Sequence, residues 1–335
     1  MVYKEERSAA EGYKQTYLDG LENLILRRQK EAAQARREYI QDVFTEPEKY
    51  RKDFIDMLGW PLTKQPDGTI PNAECRKVTS EDGYDVFSME FEILEGLKLH
   101  GLLFRCHGEE KRPMVILQHG GNGTPEYLAG FYEWTGYYGD MLKNVMAQKV
   151  HAFAPQLLLW DHKVYGVEYD RSKVDARLKR VGSSIAAVEI YALTKVLDYF
   201  ETMDWVGKFG MIGLSYGGFY TLYTAAVDQR IQSAISCSYF NKRDAYPWAN
   251  WVWKDMACRF DDAEIACLVY PRRLCIEVGK EDEVFDYRGG VESFEHLKQL
   301  CGTVGTDWVD LITYEGNHAF CGEVWPIERL ANDLR

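Results

Sequence analysis

From about residue 15 to 44 the chain is charged and free of proline, and Leu18, Leu21, Ile25, Ala32, Ala35, Tyr39 and Val43 recur at helical spacing. Steps of three and four residues put these side chains on one helix face. The pattern predicts a long amphipathic helix whose apolar stripe packs on the main body or on a second subunit. Pro47 then opens a second, short helix that ends at Leu58-Gly59, ahead of Trp60-Pro61. The expected organisation is a helical extension over residues 1–65 and one main domain over residues 66–335.

Past about residue 74 the period changes. Tyr84–Leu94 alternates between apolar and polar, Gly96 breaks it, and Leu97–Cys106 follows, which reads as a hairpin. Pro113–Gln118 is a short continuous apolar run, as a strand buried on both faces requires. Similar runs recur at Val150–Ala154, Phe209–Leu214, Ile231–Ser236, Leu274–Val278 and Trp308–Ile312. Helical patterns lie between most of them, over 139–148, 185–200, 219–227 and 291–300. Antiparallel strands first, then alternating strands and helices, predict an α/β fold with a mostly parallel sheet covered on both faces.

The composition narrows the partners more than the fold. A net charge of −12 over 335 residues disfavours nucleic acid and anionic membrane surfaces, which select for basic faces. No run approaches the length of a membrane span, and the charged N-terminus is not followed by an apolar signal region. The eight cysteines include no C-x-x-C pair, and several lie inside apolar runs such as Leu274-Cys275-Ile276. In a chain of this size the pattern suits free thiols in a reducing cytoplasm.

The chemistry concentrates at strand ends. Gly213-Leu-Ser215-Tyr-Gly217 follows an apolar strand and opens a helix, the setting that holds a serine on a tight, strained turn. A serine hydroxyl becomes a nucleophile when a base takes its proton and a third group orients that base. Asp282 lies in the loop leaving the Leu274–Val278 strand, and His318 in the loop after Trp308–Thr313, so the order is serine, acid, histidine. Asp286 is the second candidate for the acid. His296 falls within a helix and reads as structural. A tetrahedral intermediate also needs hydrogen-bond donors at its oxyanion. The Tyr216 N–H, next to the serine, is one. The loop His119-Gly-Gly-Asn-Gly123 offers the other, Gly121 first and Asn122 second, with His119 bracing it. No phosphate-binding glycine pattern is present.

Together these segments resemble the α/β-hydrolase superfamily, in its dienelactone-hydrolase and acetyl-xylan-esterase neighbourhood. The resemblance spans residues 55–320. It rests on Met57-Leu-Gly-Trp-Pro-Leu62, the His119 loop, Gly213–Gly218, Asp228-Gln-Arg-Ile231, Leu268-Val-Tyr-Pro-Arg-Arg-Leu274, Gly279–Asp282 and Gly316-Asn-His318. The Leu-Gly-Trp-Pro-Leu and Pro-Arg segments are similar to carbohydrate acetyl esterases, and the resemblance implies a serine enzyme without metal or cofactor. Two departures stand. Dienelactone hydrolases proper carry a cysteine where this chain has Ser215, and exported acetyl xylan esterases carry signals not visible here. Some 70 residues upstream are too few for an oligopeptidase propeller.

The expectation is therefore a cytoplasmic serine esterase that cleaves a short-chain acyl or acetyl ester of a small molecule, carried on a carbohydrate in one version. The alternatives are a peptidase or acyltransferase on the same triad, or a non-catalytic binding protein. Trp248 and Trp251, in the aromatic run Tyr239–Trp253, are either a substrate platform or ordinary packing. Trp160 and Asp161, after the Val150–Ala154 strand, are expected near the site on topology alone. The long N-terminal helix makes a homodimer a reasonable expectation.

Overall fold

The computed structural model describes residues 2–132, 136–160, 167–302 and 304–335. In chain order the elements are α1 (Arg7–Tyr39), α2 (Pro47–Leu58), β1 (Ala73–Glu81), β2 (Tyr84–Leu94), β3 (Leu97–Cys106), β4 (Arg112–Gln118), α3 (Pro125–Leu128), α4 (Met141–Ala147) and β5 (His151–Pro155). They continue as α5 (Arg171–Lys179), α6 (Ile185–Glu201), β6 (Val206–Leu214), α7 (Tyr216–Val227), β7 (Ile231–Cys237) and α8 (Asp262–Cys267). β8 (Arg273–Gly279), α9 (Tyr287–Cys301), β9 (Val309–Tyr314) and α10 (Trp325–Leu334) complete them.

One nine-stranded sheet runs in the order β1-β2-β3-β5-β4-β6-β7-β8-β9. The predicted hairpin is β2–β3, paired antiparallel with Phe87 opposite Leu103. β3 joins antiparallel to β5, and from β5 to β9 every pairing is parallel. The strand order reverses around β4: β5 pairs on one side of it and β6 on the other. Loops leaving the C-terminal ends of β4 and β6 therefore diverge around one crevice, the usual place for a site in an open α/β sheet.

Two apolar clusters form the core, one centred on Phe153, Ile190 and Phe219, the other on Leu117, Val145 and Ile212. The predicted continuous runs become the parallel strands; β4 to β8 are buried because they are covered on both faces, whereas β9 is the half-buried edge strand. α2 belongs to the first cluster: Tyr50, Phe54 and Leu58 are buried there, together with Leu62 just beyond it.

The N-terminal stripe packs on the body of its own chain only in part. Its second half is buried at Ala32, Ile40 and Val43, but Leu18, Leu21 and Ile25 remain 49%, 38% and 47% exposed. Packing begins only at about Gln29, so the first six turns of α1 present their apolar residues to solvent. α5 had no apolar signal because it is mostly polar; it is held instead by buried Arg171 and Asp175. Among the described residues no helix is long and apolar enough to cross a membrane.

Candidate active site

Ser215 sits between β6 and α7 with φ 61° and ψ −120°, a backbone state a non-glycine residue adopts only under constraint. Two features impose it. The Ser215 N–H donates to the Cys237 carbonyl at 2.9 Å. The turn is also too tight for side chains on its flanks: a Cβ at Gly217 would lie 2.1 Å from the Gln118 carbonyl oxygen, and one at Gly213 would lie 2.3 Å from that of Gly217. Glycines at both positions are thus a steric condition of the turn.

The loop after β4 faces this turn. A Cβ on Gly120 would come within 3.4 Å of the Ser215 Cβ, so the two backbones approach closely. The Gly120 N–H is occupied, donating to the Tyr138 hydroxyl at 2.8 Å. No hydrogen bond runs from the Gly121, Asn122 or Tyr216 N–H to another described residue. His119 is buried beneath the loop. Its Nδ1 lies 2.9 Å from the Gly120 carbonyl, and its Nε2 lies 3.0 Å from the Leu157 nitrogen. A peptide N–H can only donate, so Nε2 is the acceptor and Nδ1 carries the proton. Burial lowers the pKa of this imidazole to about 4, against a smaller opposing effect of the Gly120 carbonyl. A neutral ring thus ties the glycine loop to the segment after β5.

His318 and Asp282 meet across the ends of β8 and β9. His318 Nδ1 is 2.9 and 3.0 Å from the two Asp282 carboxylate oxygens. Asp282 Oδ1 also accepts from the Val284 and Phe285 N–H groups, and its side chain is fully buried. Asp286, the second candidate, instead caps α9, accepting from the Gly289 N–H at 3.1 Å. His296 pairs with buried Glu264 at 2.8 Å, away from this site.

Ser215 and His318 open into one cleft of about 390 Å³. Gly121, Asn122 and Trp160 line it as well, with Tyr127, Tyr132, Tyr137 and Tyr138. Trp160 stands on the glycine loop: a Cβ on Gly121 would lie 2.6 Å from its indole, and the Trp160 N–H donates to the Gly121 carbonyl at 3.2 Å. Its ring meets Tyr216 edge to face, 6.1 Å between centroids. The four tyrosines were not singled out from the sequence. Their one signal was the density of aromatics over residues 127–138, directly after the glycine loop. Asp161 lies outside the described residues.

Trp251 does not reach the cleft. It is fully buried, stacked on Phe219 and Phe285 and in contact with Tyr216. Trp248 is half-buried against Trp251, 4.4 Å away, and does not line the cleft either. The reason is energetic: a tryptophan buries a large apolar area, and the top of α7 supplies partners for it. Beneath these rings lies a buried ion pair that the sequence did not reveal. Arg171 Nη2 is 2.7 Å from Glu189, and the same nitrogen donates to the Tyr220 hydroxyl at 2.7 Å. Arg171 also bonds the Leu158 carbonyl and lies under the Tyr216 ring, 5.3 Å from its centroid.

No protein-family model matches the chain, and no curated protein matches its sequence. Its fold is nevertheless shared with solved structures. An assigned acetyl xylan esterase from Bacteroides fragilis aligns with a TM-score of 0.66 at 17% identity, over 82% of this chain and 76% of that one. A glucuronoyl esterase from Solibacter usitatus aligns at 0.64 and 14% identity, over 87% and 93%. Acetyl xylan esterase 1 from Thermoanaerobacterium sp. JW/SL YS485 aligns at 0.56 and 15%, over 84% and 93%. With the sheet order and elbow described above, these likenesses define the chain as an α/β-hydrolase fold.

Proposed function

We propose that this chain is a serine hydrolase that cleaves a small carboxylic ester, with Ser215 as nucleophile, His318 as base and Asp282 as the orienting acid. The observation that carries the reading is the meeting of Ser215 and His318 in one aromatic-lined cleft, with His318 Nδ1 held by a buried carboxylate.

With Nδ1 donating to Asp282, His318 Nε2 is left as the acceptor for the Ser215 proton. Ser215 Oγ adds to the ester carbonyl as that proton moves to Nε2. The oxyanion is received by the Tyr216 N–H and by Gly121 or Asn122, whose N–H groups engage no other described residue. Collapse breaks the carbon–oxygen bond, and the alcohol leaves with the proton from His318. Water then repeats the sequence on the acyl-serine, giving the acid and regenerating Ser215. Tyr216 and the glycine loop are both braced by Trp160, so the donors are set in place before substrate arrives, as oxyanion stabilisation requires.

The substrate is read as a short acyl or acetyl ester, and a sugar ring is the favoured alcohol. Two features support this. The cleft is small and walled by tyrosines and one tryptophan, whose faces suit the apolar side of a sugar. The structural neighbours also include proteins named acetyl xylan esterase and glucuronoyl esterase. All eight cysteines are unpaired thiols, which fits residence in a reducing compartment.

The test is Ser215→Ala, assayed on acyl esters of graded chain length and on acetylated sugars. The variant should keep its melting temperature and lose on the order of 10³-fold or more in kcat. Full retained activity in a folded Ser215→Ala protein would sink the assignment.

A further inference from the structure

His318 is held by more than Asp282. The Ala319 N–H donates to the Asn317 carbonyl at 2.8 Å, so His318 stands at the apex of a tight three-residue turn. The turn lies directly on the end of β8: a Cβ at Gly279 would come within 2.7 Å of the Gly316 carbonyl oxygen. On its far side the Ala319 carbonyl accepts from the Tyr314 hydroxyl. The Ser238 Oγ lies 2.9 Å from that same hydroxyl and 3.4 Å from the Ala319 oxygen. A phenol has one proton to give. With it given to Ala319, the Ser238 proton makes the 2.9 Å contact, and donation runs from Ser238 to Tyr314 to Ala319. Such a chain is polarised along its length and is stronger than its bonds taken singly.

Ser238 follows Cys237, whose carbonyl receives the Ser215 N–H at 2.9 Å. Two adjacent residues at the end of β7 therefore hold the elbow and the histidine turn, one by its main chain and the other by its side chain. Ser238 is buried, and its own N–H donates to the Glu277 carbonyl at 2.9 Å on neighbouring β8. Its φ of 49° is left-handed. Glycine would take that state without strain, so the backbone alone gives no reason for a side chain here. The side chain costs stability and supplies a hydroxyl. Strained non-glycine residues of this kind cluster at active sites, where the surroundings over-determine them.

We propose that Ser238 and Tyr314 are positioning residues for the base: a clamp on the Ala319 carbonyl that sets the reach of His318 toward Ser215, resting on the triad assigned above. The Asp282 contact fixes the Nδ1 edge of the ring but not the main chain that carries it. The imidazole can pivot about that contact, and Nε2 then moves relative to the elbow. The clamp removes this freedom by tying both partners to one strand end. A displacement on the order of 1 Å between reacting groups costs about 10²-fold in rate, which bounds the effect. Neither Ser238 nor Tyr314 lines the cleft, so the clamp acts on the chemistry and not on substrate binding.

Tyr314→Phe, Ser238→Ala and Ser238→Gly test this beside Ser215→Ala, on a short acyl ester and with a melting curve for each. Tyr314→Phe and Ser238→Ala should each lower kcat about tenfold and leave KM within about twofold of wild type. The two hydroxyls act in series, so the double variant should lose about as much as Tyr314→Phe alone; a loss equal to the product of the two overturns the order of donation. Ser238→Gly separates the hydroxyl from the fold. It relieves the left-handed residue and should melt no lower than Ser238→Ala, yet share its kcat loss. Wild-type kcat in Tyr314→Phe or Ser238→Ala overturns the clamp, as does a kcat that recovers in Ser238→Gly or follows the melting temperature. A rise in KM without a fall in kcat overturns it as well. Those results with Ser215→Ala inactive leave the triad standing, whereas a folded, active Ser215→Ala protein removes the triad and the clamp together.

Discussion

The Asp282 carboxylate is removed from water, yet two backbone N–H groups and the His318 ring satisfy it. An amide at this position keeps the shape and loses the charge. It can also present an N–H to Nδ1, which favours the wrong tautomer of His318. Asp282→Asn should therefore lower kcat by ~10³–10⁴ with little change in KM. Asp286→Asn should stay within about threefold of wild type, since an asparagine still caps α9. Comparing kcat for the two variants distinguishes an acid that orients His318 from a helix cap.

Glu277 poses a different question at the same scale. It is fully buried on β8, and the Cys237 and Cys321 thiols flank it without a well-shaped hydrogen bond to either carboxyl oxygen. Burial pushes its pKa up to about 7. Folding then favours the protonated form. Stability from this group is complete below the ordinary carboxylate pKa and is lost as pH rises from there to about 7; above that the loss is constant. The shift corresponds to about 3 kcal/mol. Urea melts of Glu277→Gln should show it more stable than wild type by up to that amount at pH 8, with the gap closing near pH 5. A gap of equal size at both pH values would contradict a neutral Glu277 at acid pH.

At the scale of elements, Arg171 joins three pieces of structure. It links α5 to Glu189 on α6, to Tyr220 on α7, and to the segment before Trp160 through the Leu158 carbonyl. Removing it strands a buried carboxylate, which costs about 3–5 kcal/mol, whereas removing both charges together costs far less. Arg171→Met should thus lower stability markedly, and Arg171→Met with Glu189→Leu should recover most of it in the same melting experiment. Nothing along the chain marked this pair. Arg171 and Glu189 are 18 residues apart, on helices whose charged residues read as solvent-facing until the fold closes over them. Trp251 shows the same gap from the other side: its aromatic character was plain, and only packing decided that it fills the core under α7 instead of walling the cleft. By contrast, β4 to β8 were legible as apolar runs, because a strand buried on both faces is apolar along most of its length.

For the whole molecule, burial within the helical extension over residues 1–65 begins at about residue 30. A chain starting at Lys30 should fold and keep its activity, because the residues it lacks bury nothing within their own chain. A chain starting at Gln65 loses Tyr50, Phe54, Leu58 and Leu62 from the core. At ~2–5 kcal/mol for each large side chain removed, that exceeds the stability of an ordinary domain, and the product should be insoluble. Soluble yield of the two truncations checks both statements.

The sequence alone determined what is local. Apolar period set the strands and helices, and glycine spacing marked the elbow, whose geometry excludes side chains at Gly213 and Gly217. Chain order nominated Ser215, Asp282 and His318. Tertiary structure decided what depends on distant residues meeting. It set Asp282 beside His318 while Asp286 caps a helix, sent Trp160 to the cleft and Trp251 to the core, and left the first half of α1 uncovered. The physical reason is one of range. Backbone preference and periodicity act over a few residues, whereas burial, pairing and exposure are fixed only when the whole chain has closed.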